Sequence, residues 1–227
     1  MKNLNFTFNS LVLIPKLIFG LFLAAVGTVI MIHANIGLFP WGTLHAGLTL
    51  STGISFGVWS QIVGIFILVI MSLFKFYPGL GTLLDIFFVG FFIDWIESLQ
   101  VIPTPNGFIT QTVFSLIGLF VLSFGMSLYM SCGLGAGPRD GLMLMLMKLT
   151  GKSVTVIKTT IELCVTLLGL LLGGPFGFGT IMLALIGGKV LNLVFKWTHY
   201  DATSVKQRNL IELFQKKEPA CSLKIRA

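Results

Sequence analysis

Six stretches of the chain stay apolar for roughly the 20 residues that a helix needs to cross a hydrocarbon layer about 30 Å thick. They cover residues 11–32, 57–74, 82–99, 112–130, 154–172 and 178–197. Between Leu17 and Phe74 there is no Lys, Arg, Asp or Glu, and the stretches 112–130 and 166–185 are equally free of charge. Two shorter apolar stretches, 41–52 and 139–150, lie between the first and second spans and between the fourth and fifth. Each is too short to cross, so the pattern predicts an all-α membrane protein of about six transmembrane helices with two re-entrant half-helices.

The pattern repeats. At a constant offset of 98 residues, with no gaps, Gly20, Leu21 and Phe22 fall on Gly118, Leu119 and Phe120, Gly27 on Gly125, Gly37 on Gly135 and Pro40 on Pro138. Thr52 and Gly53 fall on Thr150 and Gly151, Ser55 on Ser153, Gly79 on Gly177, Gly81 and Thr82 on Gly179 and Thr180, and Gly90 on Gly188, while Asp94 meets Asn192. Shared hydrophobicity matches Leu and Phe by chance, but it does not match Gly, Pro and Thr at one offset. The chain therefore reads as a first transmembrane repeat over 1–99, a second over 112–197 and a basic tail over 198–227. Three spans per unit is an odd number, so the second unit is expected to enter the membrane inverted, an organisation found in many secondary transporters with a midplane site.

Composition agrees with lipid as the solvent: 55% of residues are hydrophobic and 10% charged, with a mean hydropathy of +0.96. A net charge of +7 raises the question of nucleic acid, but the Lys and Arg residues gather at span ends and in the tail. Loops 33–56, 100–111 and 173–177 hold neither, which predicts that those loops face outward and that both termini are cytoplasmic. No small-residue cleavage site follows the first apolar stretch, which is read as a membrane helix. Cys132, Cys164 and Cys221 show no metal or redox spacing. The tail segment 204–217 mixes Val205, Leu210, Ile211 and Phe214 with charges, and reads either as a short helix lying on anionic lipid or as a solvated tail.

Candidate chemistry sits at the two breaks. Pro40 and Pro138 suit the first turn of a helix, where the missing donor is no loss. The half-helix N-termini would present free backbone donors and partial positive charge, which suits an anionic or carboxylate-bearing small solute. The candidate solute-binding residues are His33, Asn35, Pro40, Trp41, His45, Gly135, Gly137, Pro138, Arg139 and Asp140. The alternative is that Gly and Pro here only permit tight re-entry and close packing. Gly135 and Gly137 are expected to need positive φ or close backbone approach. Trp41 and Gly42 stand where Arg139 and Asp140 stand in the second copy, so any charged site is asymmetric. A buried charge network is expected from Asp94, Lys158, Glu162, Lys189 and Asn192, with Glu162 paired to Lys189 or to Lys158 one turn earlier, since charge inside a span is costly and functional by default. Structural ion pairing is the competing account of these residues. Asp85 and Glu97 lie near span ends and read as solvated. His33 and His45 lack metal-ligand spacing, no nucleophile and base pair is visible, and no cofactor is implied. Trp41, Trp59, Trp95 and Trp197 fit an aromatic belt at the interfaces.

The run GLGAGPRDG over 133–141, followed by LTGKS over 149–153 and GFGT over 177–180, resembles the YczE/YitT family of bacterial integral membrane proteins, and the similarity extends over most of residues 10–197. The resemblance implies a fold and a bacterial plasma-membrane location, and no substrate. The architecture points to a permease or exporter that rocks its two units about a central site. The other readings are a non-transporting accessory that contacts a partner complex through the basic tail, and a membrane enzyme, which the scarcity of polar residues disfavours. A polar lining at the midplane would favour transport, whereas a closed interior under an exposed apolar groove would favour the accessory.

Overall fold

The computed structural model describes residues 2–135 and 137–199, and over these the chain is all helical. In order these helices are α1 (Lys2–Ala34), α2 (Pro40–Thr52), α3 (Phe56–Leu73), α4 (Leu80–Leu99), α5 (Phe108–Met130), α6 (Pro138–Thr150), α7 (Val154–Leu171) and α8 (Phe178–Trp197). The amphipathic tail segment 204–217 lies outside the described residues.

Local chemistry sets the ends. Both short helices start on their proline and stop at a glycine in the left-handed region, Gly53 at φ 75° and Gly151 at φ 68°, because Pro fits the first turn and Gly the C-terminal reversal. Thirteen residues each give a length of about 20 Å, short of a bilayer core. Thr82 Oγ1 accepts from Gly79 N at 3.2 Å ahead of α4, and Thr180 Oγ1 from Gly177 N at 3.3 Å ahead of α8. Helices α6, α7 and α8 begin and end 98 residues after α2, α3 and α4.

Five segments are long and apolar enough to cross a membrane: Leu13–Ala34, Phe56–Leu73, Phe108–Met130, Val154–Leu171 and Phe178–Trp197. The remaining long helix, α4, has 20 residues but carries Asp85, Asp94 and Glu97, so the count expected from hydropathy falls by one on composition. Packing accounts for two of those acids. Asp94 caps α3, and Glu97 meets His33 of α1 at 3.3 Å, so neither carboxylate is simply solvated at a span end as the sequence suggested for Glu97.

The bundle is held by close backbone contact. Helices α1 and α5 cross where an added Cβ on Gly20 would lie 2.9 Å from the Gly125 carbonyl oxygen, and one on Gly27 2.6 Å from that of Gly118. Contacts rise along α1 as they fall along α5, so the two helices are antiparallel. The loop before each half-helix docks on a long helix of the other half: Gly81 N donates to Leu134 O at 2.8 Å, and Gly179 N donates to Ile36 O at 2.7 Å. Gly135, at φ 131°, needs the freedom that only glycine has, and a Cβ there would lie 2.7 Å from Gly79 Cα. Gly137 differs from the expectation: its φ is −56°, and what crowds it is side chain, since a Cβ added there would lie 3.1 Å from Asp85 Oδ2 and 3.2 Å from Tyr129 Oη.

Helix α2 packs on α7 through small residues, with a Cβ on Gly47 reaching 2.6 Å from Gly169 O. The equivalent contact of α6 with α3 is filled by Met71 and Met145. The hairpins differ more. Helices α3 and α4 close on each other at Gly57 and Gly90, whereas α7 and α8 do not pack along their length and Gly188, the counterpart of Gly90, faces open space.

Candidate functional site

The half-helices bring their N-termini together at a central cavity of about 910 Å³ that all eight of these helices line. Arg139, the second residue of α6, reaches across to the second residue of α2: its guanidinium carbon lies 5.2 Å from the Trp41 ring centre and 6.0 Å from that of Phe39. Such stacking on aromatic faces stabilises a desolvated cation. Trp41 and Arg139 occupy the same position of the two copies, so the divergence seen in the sequence becomes a contact.

Asp85 of α4, Asp140 of α6 and the Tyr129 hydroxyl of α5 lie within electrostatic reach of Arg139. Among the described residues, Arg139, Asp85 and Asp140 close no ion pair within 4.0 Å. Sequence reasoning placed Asp85 at a solvated helix end and passed over Tyr129. Loop residues 131–135 lie over the start of α4, as the Gly81 N to Leu134 O bond shows, so Asp85 faces the cavity instead of bulk water. No signal in the linear pattern gives that cover.

His45 lies one turn beyond Trp41 on the same face of α2. It is 0% exposed, lines the cavity, packs its ring edge-on against Phe56 at 5.3 Å, and has no hydrogen-bond partner on either ring nitrogen among the described residues. A buried polar group left unsatisfied costs about 1–3 kcal/mol, which a bound solute or water would offset.

Lys158 and Glu162 of α7 pair at 3.8 Å, the i, i+4 alternative of the sequence reading. Both line the cavity with Lys189 and Asn192 of α8. Glu162 makes no ion pair with Lys189, because α7 and α8 stand apart. Pro40, Gly137 and Pro138 also line the cavity; Gly135 holds the loop behind it.

Three candidates are placed elsewhere. His33 bonds Glu97 at 3.3 Å and the Thr104 hydroxyl at 3.2 Å, tying the end of α1 to α4 and its following loop. Asn35 lines a separate pocket of about 350 Å³ with Phe108 and Phe176. Asp94 does not line the cavity; its Oδ1 accepts from Gly57 N at 2.8 Å and its Oδ2 from the Ser55 hydroxyl at 2.6 Å. It is an N-terminal cap of α3 supplied from α4. Asp94→Ala should cost about 1 kcal/mol, the usual size of a lost cap, and lower the melting temperature in detergent without changing solute binding.

The chain's residues 13–196 match DUF6198, a family described as of unknown function. It is 38% identical over 175 residues to the uncharacterized membrane protein YczE of Bacillus subtilis, covering 76% of this chain and 80% of that one. It is 33% identical over 190 residues to an uncharacterized protein of Haemophilus influenzae, covering 82% and 86%, and 23% identical over 176 residues to the uncharacterized protein YyaS of Bacillus subtilis, covering 77% and 88%. No solved structure matches the chain. An all-helical chain with five segments long and apolar enough to cross a membrane, matched over most of its length by these proteins and similar to YczE, is a membrane protein of the DUF6198 family.

Proposed function

We propose that this protein is a small-solute permease or exporter of the bacterial plasma membrane, and that α4 is its sixth span. The carrying observation is the cavity at the meeting point of two half-helix N-termini, lined by charged groups of both halves. In this reading the two halves are inverted copies. That is supported by the antiparallel crossing of α1 and α5, and by the exchange of equivalent contacts: the Gly20 and Gly125 pair becomes the Gly118 and Gly27 pair when the copies are swapped. Unwound loops and half-helix ends at membrane depth occur where they line a site, as in secondary transporters. Arg139 with its aromatic stack, together with unpartnered His45, supplies donors that suit a carboxylate-bearing solute.

Both termini are cytoplasmic in this reading. Reporter fusions after Trp197 and in the loop at Asn106 should report opposite faces of the membrane; the same face for both would remove the inverted arrangement. Proteoliposomes should accumulate labelled organic or amino acids above protein-free vesicles, and a folded Arg139→Gln variant should not. Absence of flux from folded protein across such a panel would return the non-transporting accessory reading.

A further inference from the structure

One hairpin exists twice in the chain and is packed in two ways. In α3 and α4 a Cβ on Gly57 would lie 2.1 Å from Gly90 O, and one on Gly90 2.5 Å from Gly57 O, while Asp94 fastens the end. In α7 and α8 those positions carry Thr155, Gly188 and Asn192. The threonine cannot accept such an approach and the asparagine has no capping carboxylate, so the helices stay apart and nothing lies within 4 Å of a Cβ on Gly188. The resulting gap runs from the central cavity to the outer surface of the bundle. Lys158, Leu185, Gly188 and Lys189 border both, lining the cavity while being exposed.

Of the charged residues of α7 and α8, Lys158, Glu162 and Lys189 line the cavity, whereas the closed hairpin of α3 and α4 places only the acid Asp85 there. Glu162 is already matched by Lys158, and Lys189 has no ion pair among the described residues. Leu185 and Val154, 70% and 46% exposed, add apolar walls that also line the cavity. A free ion needs only an aqueous mouth; a slot open along two membrane helices admits a chain.

We infer that the gap between α7 and α8 is a lateral entrance through which an amphiphile with an anionic headgroup, carboxylate or phosphate, passes from the bilayer into the cavity. The head is held by Lys189, which has no ion pair among the described residues, and the chain lies along the apolar walls. The inference shares its cavity with the permease reading, but occupancy is read without any flux, so either can fail alone.

The test uses the full chain in nanodiscs with Trp59, Trp95 and Trp197 changed to Phe, which leaves Trp41, inside the cavity, as the sole indole. Phosphatidylglycerol brominated on its acyl chains should quench Trp41 more strongly than equally brominated phosphatidylcholine. Gly188→Phe fills open space, so it should keep the wild-type melting temperature and abolish the difference. Lys189→Gln should weaken the apparent affinity for the anionic lipid about fivefold, the size of one lysine contact with anionic lipid, and it provides the test if Gly188→Phe fails to fold. Inorganic phosphate should leave quenching unchanged. Equal quenching by the two lipids, quenching that survives Gly188→Phe, or release by phosphate would each overturn the inference. So would absent quenching with a disulfide between two Gly188→Cys chains in a background of Cys132, Cys164 and Cys221 changed to Ser, since a second copy would then seal the gap.

Discussion

Gly90→Ala should leave little folded protein, while Gly188→Ala, at the same position of the second copy, should accumulate and melt like the wild type. At Gly90 the added methyl meets the Gly57 carbonyl oxygen at 2.5 Å and Gln61 Cγ at 2.6 Å. The carbonyl belongs to a helix that cannot retreat without breaking the α3 and α4 contact. Gln61 is fixed in turn, its Nε2 donating to Phe87 O at 2.9 Å. Overpacking a core typically costs about 1–3 kcal/mol, and more when backbone must move, so the loss here should exceed about 3 kcal/mol. At Gly188 the methyl meets nothing within 4 Å, and alanine favours the helix over glycine by about 1 kcal/mol in water. The check is the monodisperse fraction and the apparent melting temperature in detergent. Equal behaviour of the two variants would mean that the hairpins are packed alike and that the gap between α7 and α8 does not exist.

The second large effect is expected at Arg139. Arg139→Gln leaves Asp85 and Asp140 facing the same cavity without the cation between them and takes the stack off Trp41. Arg139, Asp85 and Asp140 are half-buried and close no ion pair among the described residues, so the loss of stability should fall below the about 3–5 kcal/mol of a broken buried pair. Asp85→Asn alone should also destabilise, by less, because Asp140 remains to balance the guanidinium. The double variant Arg139→Gln/Asp85→Asn should melt above Arg139→Gln, since the two residues share one electrostatic cluster and their effects do not add. Its uptake should stay lost, because the donor for an anionic solute is gone. Recovery of both stability and uptake would make the cluster structural only, whereas strictly additive melting shifts would show that Arg139 and Asp85 do not sense each other.

Much of the secondary structure could be read along the chain because its causes are local. Pro40 and Pro138 fit a first helical turn, Gly53 and Gly151 fit the reversal after the last, and Thr82 and Thr180 accept from glycine amides three residues earlier; each needs only a few neighbours in sequence. The 98-residue offset could be read because Gly, Pro and Thr recur at one spacing, which needs no knowledge of what those residues touch. The fate of the charged residues could not. Asp85 and Asp94 are both acids in one apolar helix, and nothing beside them in sequence separates a cavity wall from a helix cap. The first faces the site because loop residues 131–135 cover its end of α4, and the second caps α3 because Gly57 lets that helix approach.

The sequence by itself determined an all-helical membrane chain with two short helices, because helix length, hydropathy and turn chemistry act over a few residues. Only the tertiary structure decided that Arg139 lies against its repeat partner Trp41, that Glu162 pairs with Lys158 and not Lys189, and that one hairpin is shut while its copy stands open. Those outcomes depend on distances between helices, set by single atoms at glycine contacts far apart in the chain, and hydrophobic periodicity carries no record of them.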